Sequence, residues 1–104
     1  MEAWIVHIMK ELRLRIGAKY PICDLRVFGS SARGDRKTTS DIDVLVCLPE
    51  LNRAIEEDLY DIAYDLELEH DCLIDLIVVS ERDLQGRIGS APIYGQILTE
   101  GVAL

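Results

Sequence analysis

Apolar residues recur along the chain with two spacings, and together these spacings predict an α/β fold. Intervals of three and four residues predict an N-terminal helix, which Gly17 and Pro21 end, and a long second helix that Pro49 opens. The apolar positions of these two helices are Ile5, Ile8, Met9, Leu12 and Ile16, then Leu51, Ile55, Leu59, Ile62 and Leu66. Short β-branched runs predict strands at about 22–28, 41–48 and 72–79, and a last helix begins near Ser90. This order predicts a small mixed β-sheet with flanking helices.

The first two predicted strands border a loop suited to a phosphate group. The strand Leu25–Phe28 ends in Gly29-Ser30, and ten residues later Asp41-Ile42-Asp43 opens the next strand. Gly29 lets the backbone turn sharply and approach a ligand without a Cβ in the way. Ser30 and the amides after it can donate hydrogen bonds to phosphate oxygens at the start of a helical turn. We therefore expect a cradle for a nucleoside triphosphate.

Three aspartates provide the candidate chemistry. Asp41 and Asp43 lie two residues apart in a predicted strand, so both carboxylates leave the same face of the sheet. Two anions this close need a cation, and one or two Mg²⁺ ions with the nucleotide's phosphates would provide it. Asp75 interrupts the apolar strand Leu73–Val79, a costly position for a charge unless it is paired or binds metal. It is the candidate for a third ligand.

The loop between the two strands is basic. Arg33 is the residue we expect to contact the triphosphate, through its bidentate guanidinium, whereas Arg36 and Lys37 are interpreted as solvated loop charges. Ser40 fits a phosphate contact and ordinary turn chemistry equally well. The plainer interpretation of the whole segment is a loop with solvated acids, and the spacing, the strand context and the isolated third aspartate together argue against it.

This segment resembles the nucleotidyltransferase superfamily of polymerase β, whose signature is Gly-Ser, a spacer and Asp-x-Asp. The motif Gly29-Ser-Ser-Ala-Arg-Gly-Asp35 is most similar to that of minimal members that act as antitoxins of HEPN-domain toxins. The C-terminal segment Ala91–Val102 is similar to the C-terminal helix and final Glu-Gly-Val of the family. The resemblance implies a polymerase-β-like fold, two Mg²⁺ ions and transfer of AMP from ATP to a tyrosine hydroxyl of a HEPN RNase. It assigns catalysis and metal binding to Asp41, Asp43 and Asp75. It assigns nucleotide binding to Gly29, Ser30, Arg33 and Ser40.

Composition narrows the class of protein. With 104 residues and 49% hydrophobic content, the chain is expected to form one domain over 1–104. The formal charge of −8 argues against direct binding of nucleic acid and favours a basic protein partner. A hetero-oligomer with this partner is one expected form of the protein. Cys23, Cys47 and Cys72 are interpreted as buried free thiols of a reducing cytoplasm. Neither a signal peptide nor a membrane span is expected.

Two other functions remain open from the sequence. One is a catalytically idle module that neutralises its partner by stoichiometric binding, and the other is a minimal nucleotidyltransferase acting on a small molecule. Tyr60 and Tyr64 are interpreted either as a partner surface or as packing on the shoulder of the second helix, and Trp4 is expected in the core. His7 and His70 are interpreted as surface or hydrogen-bonded core residues rather than metal ligands. The acidic side chains of the second helix are expected to form a solvated face.

Overall fold

The described part of the chain folds as a four-stranded mixed sheet with helices on both faces, and the elements that were predicted occur in the predicted order. The computed structural model describes residues 1–29, 32, 41–86 and 90–104. In these ranges the helices are α1 (Ala3–Gly17), α2 (Arg53–His70), α3 (Glu81–Gln85) and α4 (Pro92–Glu100). The strands are β1 (Asp24–Phe28), β2 (Ile42–Leu48), β3 (Ile74–Ser80) and β4 (Val102–Ala103), in the spatial order β3-β2-β1-β4.

The directions of the strands bring three strand ends together. β1 runs antiparallel to β2 and β4, whereas β2 runs parallel to β3. The last residues of β1 therefore lie beside the first residues of β2 and β3. We call this edge, where Gly29, Asp43 and Asp75 are found, the carboxylate end of the sheet.

One face of the sheet, which we call the helical face, is covered by α1 and α2. Alternate strand residues point into this layer, which explains why the helical stripes and the strand pattern agree. Its buried residues are Ile5, Ile8, Met9, Leu12, Ile16, Leu25, Val27, Ile42, Val44, Val46, Leu48, Leu59, Ile62, Ala63, Leu66, Ile74 and Leu76. Full burial of such side chains stabilises the fold by about 1.5–3 kcal/mol each, before the entropy cost is counted.

The opposite face, which we call the open face, has a smaller apolar cluster under α3 and α4. Its buried members are Leu45, Cys47, Val79 and Ile97. Phe28, Ile77, Leu84 and Tyr94 pack against them and are only partly buried. The two strand positions that carry acids, Asp43 and Asp75, lie on this face because they alternate with the buried residues of the helical face.

The long helix begins later than the sequence suggested. Pro49 was expected to open it, but α2 starts at Arg53, because the Asn52 side chain caps the helix by accepting from the Ile55 N–H at 2.9 Å. At the other end Asp71 adopts a left-handed conformation (φ 50°) and ends the helix. Leu51 and Ile55 are only half-buried, so the deeply buried part of the stripe begins at Leu59.

Acidic side chains of α2 do more than face solvent. Asp58 accepts a hydrogen bond from the Tyr20 hydroxyl at 2.7 Å and pairs with Lys19 at 3.2 Å. Glu69 pairs with Arg15 at 2.6 Å. Glu67 accepts from the backbone N–H of Ile74 at 2.9 Å. The expectation of a purely solvated face was therefore incomplete, since three of these acids hold the helix against α1, the turn that follows α1, and β3.

Both histidines lie where α1 meets α2. The His7 and His70 rings meet edge to face, with their centroids 6.1 Å apart. His70 Nε2 lies 3.0 Å from a carboxylate oxygen of Glu11. His70 therefore has a hydrogen-bonding partner within the fold. This agrees with one of the two environments expected for it, a hydrogen-bonded rather than a surface residue.

Some predictions at the chain's periphery were wrong. Trp4 was placed in the core, yet it is 40% exposed and its indole N–H contacts the Glu2 carboxylate. Cys23 was expected to be buried but is exposed, whereas Cys47 is buried, Cys72 is partly buried, and all three are free thiols. The short elements α3 and β4 were not predicted. Within the described ranges, no helix has both the length and the apolar character needed to cross a bilayer.

Candidate active site

A row of three side chains crosses the open face at the carboxylate end. Phe28 of β1 is the register partner of Asp43 in β2, and Asp43 is the register partner of Asp75 in β3. Register partners point to the same side of a sheet, and neighbouring strands lie about 4.8 Å apart. Asp43 and Asp75 therefore project side by side from two parallel strands, and their strands are joined there by the Ile42 N–H, which donates to the Leu73 carbonyl at 2.9 Å.

Gly29 and Asp43 are fitted to one another. Gly29 has φ +68°, a left-handed conformation that side chains rarely adopt. A Cβ built on Gly29 would collide with the Asp43 carboxylate, whose Oδ2 occupies that space. The turn at the end of β1 can therefore hold its backbone against the aspartate only because residue 29 is glycine.

The three candidate acids differ in burial. Asp41 precedes β2 by one residue and is exposed, Asp43 is half-buried and takes part in interactions within the fold, and Asp75 is exposed near the start of β3. Asp41 lies two positions before Asp43 in the chain, directly before the first residue of β2. The carboxylates are thus open to a ligand approaching the carboxylate end, with Asp75 on the outermost strand of the described sheet.

A pocket of about 180 Å³ lies beside Gly29, on the side of the row away from Asp75. Its walls are Phe28 and Gly29 from the end of β1, and Ile93, Gln96, Ile97 and Glu100 from α4. The α4 residues recur at intervals of three and four, so they form one face of that helix. The pocket combines apolar walls with one amide and one carboxylate.

The donor set suits a hard cation. Carboxylate oxygens are the ligands that Mg²⁺ takes, and Mg²⁺ is usually held by one or two carboxylates together with substrate phosphates rather than by a cage of protein ligands alone. In the part of the chain that the structure describes, no three His, Cys, Asp or Glu side chains converge closely enough to hold an ion by themselves. Asp41, Asp43 and Asp75 all lie in that part of the chain and do not form such a group, whereas Asp43 and Asp75 are register partners and provide two carboxylates.

Several predicted site residues fall outside the described ranges. Ser30, Arg33 and Ser40 are among them, and so are the loop charges Arg36 and Lys37. Their assignment as nucleotide contacts or solvated charges remains a prediction.

The sequence interpretation did not include Phe28, Ile93, Gln96 or Glu100. The available signal was the three- and four-residue spacing of Ile93, Gln96, Ile97 and Glu100, together with the position of Phe28 directly before Gly29.

Cys23, the exposed thiol at the opposite end of the sheet, is held in its protonated form. The Cys23 Sγ donates to the Glu81 carboxylate at 2.9 Å. This hydrogen bond, helped by partial desolvation, raises the pKa of Cys23 to about 12. Cys23 therefore stays a thiol near neutral pH and is a poor nucleophile.

Comparison with known proteins identifies the family of this chain. A family model for the nucleotidyltransferase domain matches residues 9–101. A solved structure described as a minimal nucleotidyltransferase is 30% identical, with 100% of this chain and 97% of that chain covered and a TM-score of 0.66. No curated protein sequence matches.

Two toxin–antitoxin crystal structures share the fold at lower identity. One, with AMP-PNP, is 23% identical and has a TM-score of 0.59, and the alignment covers 93% of this chain and 69% of that chain. The other, the toxin–antitoxin MntA–HepT, is 19% identical and has a TM-score of 0.57, and the alignment covers 94% of this chain and 69% of that chain. From the family match and the 30% identical relative, the chain belongs to the nucleotidyltransferase domain family, among its minimal nucleotidyltransferases.

Proposed function

We propose that this protein is an antitoxin that transfers AMP from ATP to the hydroxyl group of a tyrosine on a HEPN-domain RNase toxin. Family membership supports nucleotidyl transfer. The two toxin–antitoxin structures of the same fold, one of them with the ATP analogue AMP-PNP, support the nucleotide and the kind of partner.

The observation that carries the proposal is the register of Asp43 with Asp75 beside the left-handed Gly29. Two carboxylates held side by side repel each other, and this repulsion is relieved when they share a cation. The backbone turn at Gly29 lies next to this pair and admits a phosphate without a side chain in the way. A nucleotide with its triphosphate at Gly29 would present its α-phosphorus to the two aspartates.

The residues of the chain have distinct roles in the proposed reaction. The acceptor's hydroxyl oxygen forms a bond to the α-phosphorus, and the bond from that phosphorus to the bridging oxygen of pyrophosphate breaks. Asp75 takes the proton from the acceptor's hydroxyl, because its exposed carboxylate lies on the outer side of the row. The pocket between Phe28 and α4 leaves room for part of the nucleotide on the other side. Catalysis then consists of positioning and charge neutralisation.

Mg²⁺ would be held by Asp43 and Asp75, with Asp41 beside them and the triphosphate completing the ligands. When bound, it neutralises the triphosphate and stabilises the departing pyrophosphate. We propose two ions, as in the two-metal scheme. Ser30, Arg33 and Ser40 are the proposed contacts to the phosphates.

The test uses the purified chain, Mg²⁺, ATP labelled at the α-phosphorus and the protein encoded by the adjacent reading frame. We expect label to appear on that protein, and we expect the Asp43→Asn chain to transfer none. Label on the neighbour from the Asp43→Asn chain at the wild-type rate would contradict the site. Neutralisation of the neighbour's RNase activity by Asp43→Asn without any transfer would support the stoichiometric binder instead.

A further inference from the structure

Large apolar side chains form an exposed stripe on α2. Tyr60, Tyr64 and Leu68 recur every four residues, so they lie along one side of the helix, and they are 43%, 58% and 66% exposed. Leu73, in the turn that leads to β3, is 58% exposed. We call these four residues the apolar stripe. Single exposed apolar residues are ordinary, but a series of four on one helix and its following turn marks an interaction surface.

The apolar stripe leads to the acceptor side of the proposed active site. Leu73 lies two residues before Asp75 in the chain. α2 lies on the helical face and Asp75 on the open face, and β3 is the outermost strand on this side of the described sheet. A protein that rests on the stripe and extends around this edge therefore meets Asp75 before it meets Asp43.

The free edge of β3 is a poor site for adding another strand. The Leu73 carbonyl bonds toward β2, and in a parallel strand the next residue's backbone groups point the other way, outward. The outward N–H of Ile74 already donates to Glu67, and that of Ser80 donates to Asp83 at 3.0 Å. Both ends of the edge are thus occupied by side chains, a known way of discouraging strand addition. A partner on this side binds through side chains of α2.

The charge around the apolar stripe identifies the kind of partner. Glu56, Asp61 and Asp65 share α2 with it, and Asp61 and Asp65 are exposed. The chain as a whole carries a formal charge of −8. A second copy would bring two acidic surfaces together, which opposes association, whereas a surface with lysines or arginines around apolar residues is complementary.

We propose that the apolar stripe is the docking surface for the acceptor protein, which presents an apolar patch bordered by basic residues and places its hydroxyl next to Asp75. This inference rests on the proposed function and adds where the acceptor binds. It predicts that docking and nucleotide binding use separate surfaces, one on each side of Asp43.

The test compares Tyr64→Ser/Leu68→Ser with the matched control Leu14→Ser, which removes an apolar side chain that is 74% exposed on α1. Two readouts are measured: calorimetric affinity for the protein encoded by the adjacent reading frame, and affinity for Mg²⁺ with AMP-PNP. We expect the double variant to bind that protein at least ~10-fold more weakly, since buried aromatic contacts dominate interfaces. We also expect its affinity for AMP-PNP and its urea midpoint to equal those of the wild type, and Leu14→Ser to change neither affinity.

Wild-type affinity of the double variant for the neighbouring protein would overturn the docking surface, and so would absence of any binding by the wild type. A wild-type homodimer that the double variant converts to a monomer would also overturn it, since the occupant would then be a second copy. Failure of the proposed function looks different. In that case the neighbour binds through the apolar stripe but acquires no label from ATP.

Discussion

The two faces of the sheet have opposite organisation, although they belong to the same strands. The helical face buries an unbroken apolar layer from α1, α2 and three strands. The open face buries four residues under two shorter helices and ends in Asp43 and Asp75. At the carboxylate end, β2 and β3 therefore place one residue in the helical face and the next in the candidate site, since successive side chains alternate between faces.

This division shows how a short chain can keep unfavourable charges. Two neighbouring carboxylates and a glycine in a left-handed conformation all work against folding. They are tolerated at the carboxylate end because the helical face provides most of the apolar burial. The two faces should therefore respond differently to metal removal, core truncation and backbone strain.

The largest expected effect is on activity alone. Removing divalent metal with EDTA should reduce label transfer to background, and Mg²⁺ should restore it, because the triphosphate's charge is otherwise not neutralised. The urea midpoint of the nucleotide-free chain should not change with EDTA, because the helical face is apolar. Full transfer in EDTA would contradict the proposed site.

Truncating the helical face should affect stability alone. Leu12→Ala removes a fully buried side chain from α1 and should lower the free energy of unfolding by about 2–5 kcal/mol. Leu84→Ala, at a half-buried position of the open face, should cost clearly less. Urea denaturation followed by circular dichroism measures both variants. Equal losses would show that the two faces share the stabilising burial.

Backbone strain at Gly29 should affect both properties. Gly29→Ala places a methyl group against the Asp43 carboxylate at φ +68°, which should cost about 1–2 kcal/mol and also reduce transfer. Gly95→Ala is the matched control, because nothing lies within 4 Å of the added methyl group in α4. That control should stabilise the chain by about 0.5–1 kcal/mol. A Gly29→Ala chain with wild-type stability and transfer would refute the fit between glycine and aspartate.

The smallest effect concerns pH and the helical face. The Tyr20 hydroxyl, followed by Lys19, lowers the pKa of Asp58 below its usual value of 3.8. The stabilisation is therefore complete above the unfolded pKa and is lost as pH falls through the lower folded value. Tyr20→Phe should make the acid-side loss of stability shallower, measured as urea midpoints between neutral and acidic pH. Tyr64→Phe, at an exposed position, should follow the wild-type curve, and a Tyr20→Phe curve identical to it would contradict the assignment.

Much of the architecture could be predicted because it is encoded locally. The stripe from Ile5 to Ile16 specified α1, and alternation around Asp75 put its carboxylate on the face opposite Ile74 and Leu76. The beginning of α2 was misjudged because Pro49 is a helix-start signal, whereas the Asn52 side chain provides the actual cap. The cap of α3 was also present in sequence, as Ser80 and Asp83 three residues apart, but five residues give no periodicity.

Other features depend on contacts between distant segments. The register that sets Asp43 beside Asp75 results from pairing across thirty-two positions of sequence, which no local pattern specifies. β4 exists because Val102 and Ala103 pair with β1, although two residues carry no strand signal of their own. Trp4 looked like a core residue by type, yet its place in the first turn of α1 leaves it partly exposed.

The central claim is that Asp75 completes the site with Asp43, and Asp75→Asn tests it most directly. The control Glu50→Gln removes the same charge from an exposed position beyond the other end of β2. Transfer of α-labelled phosphate to the protein encoded by the adjacent reading frame should fall by about 10²–10³-fold in Asp75→Asn and should stay at the wild-type rate in Glu50→Gln. The urea midpoint of Asp75→Asn should be no lower than that of the wild type, because the change relieves repulsion with Asp43. Wild-type transfer by a folded Asp75→Asn chain would contradict the account.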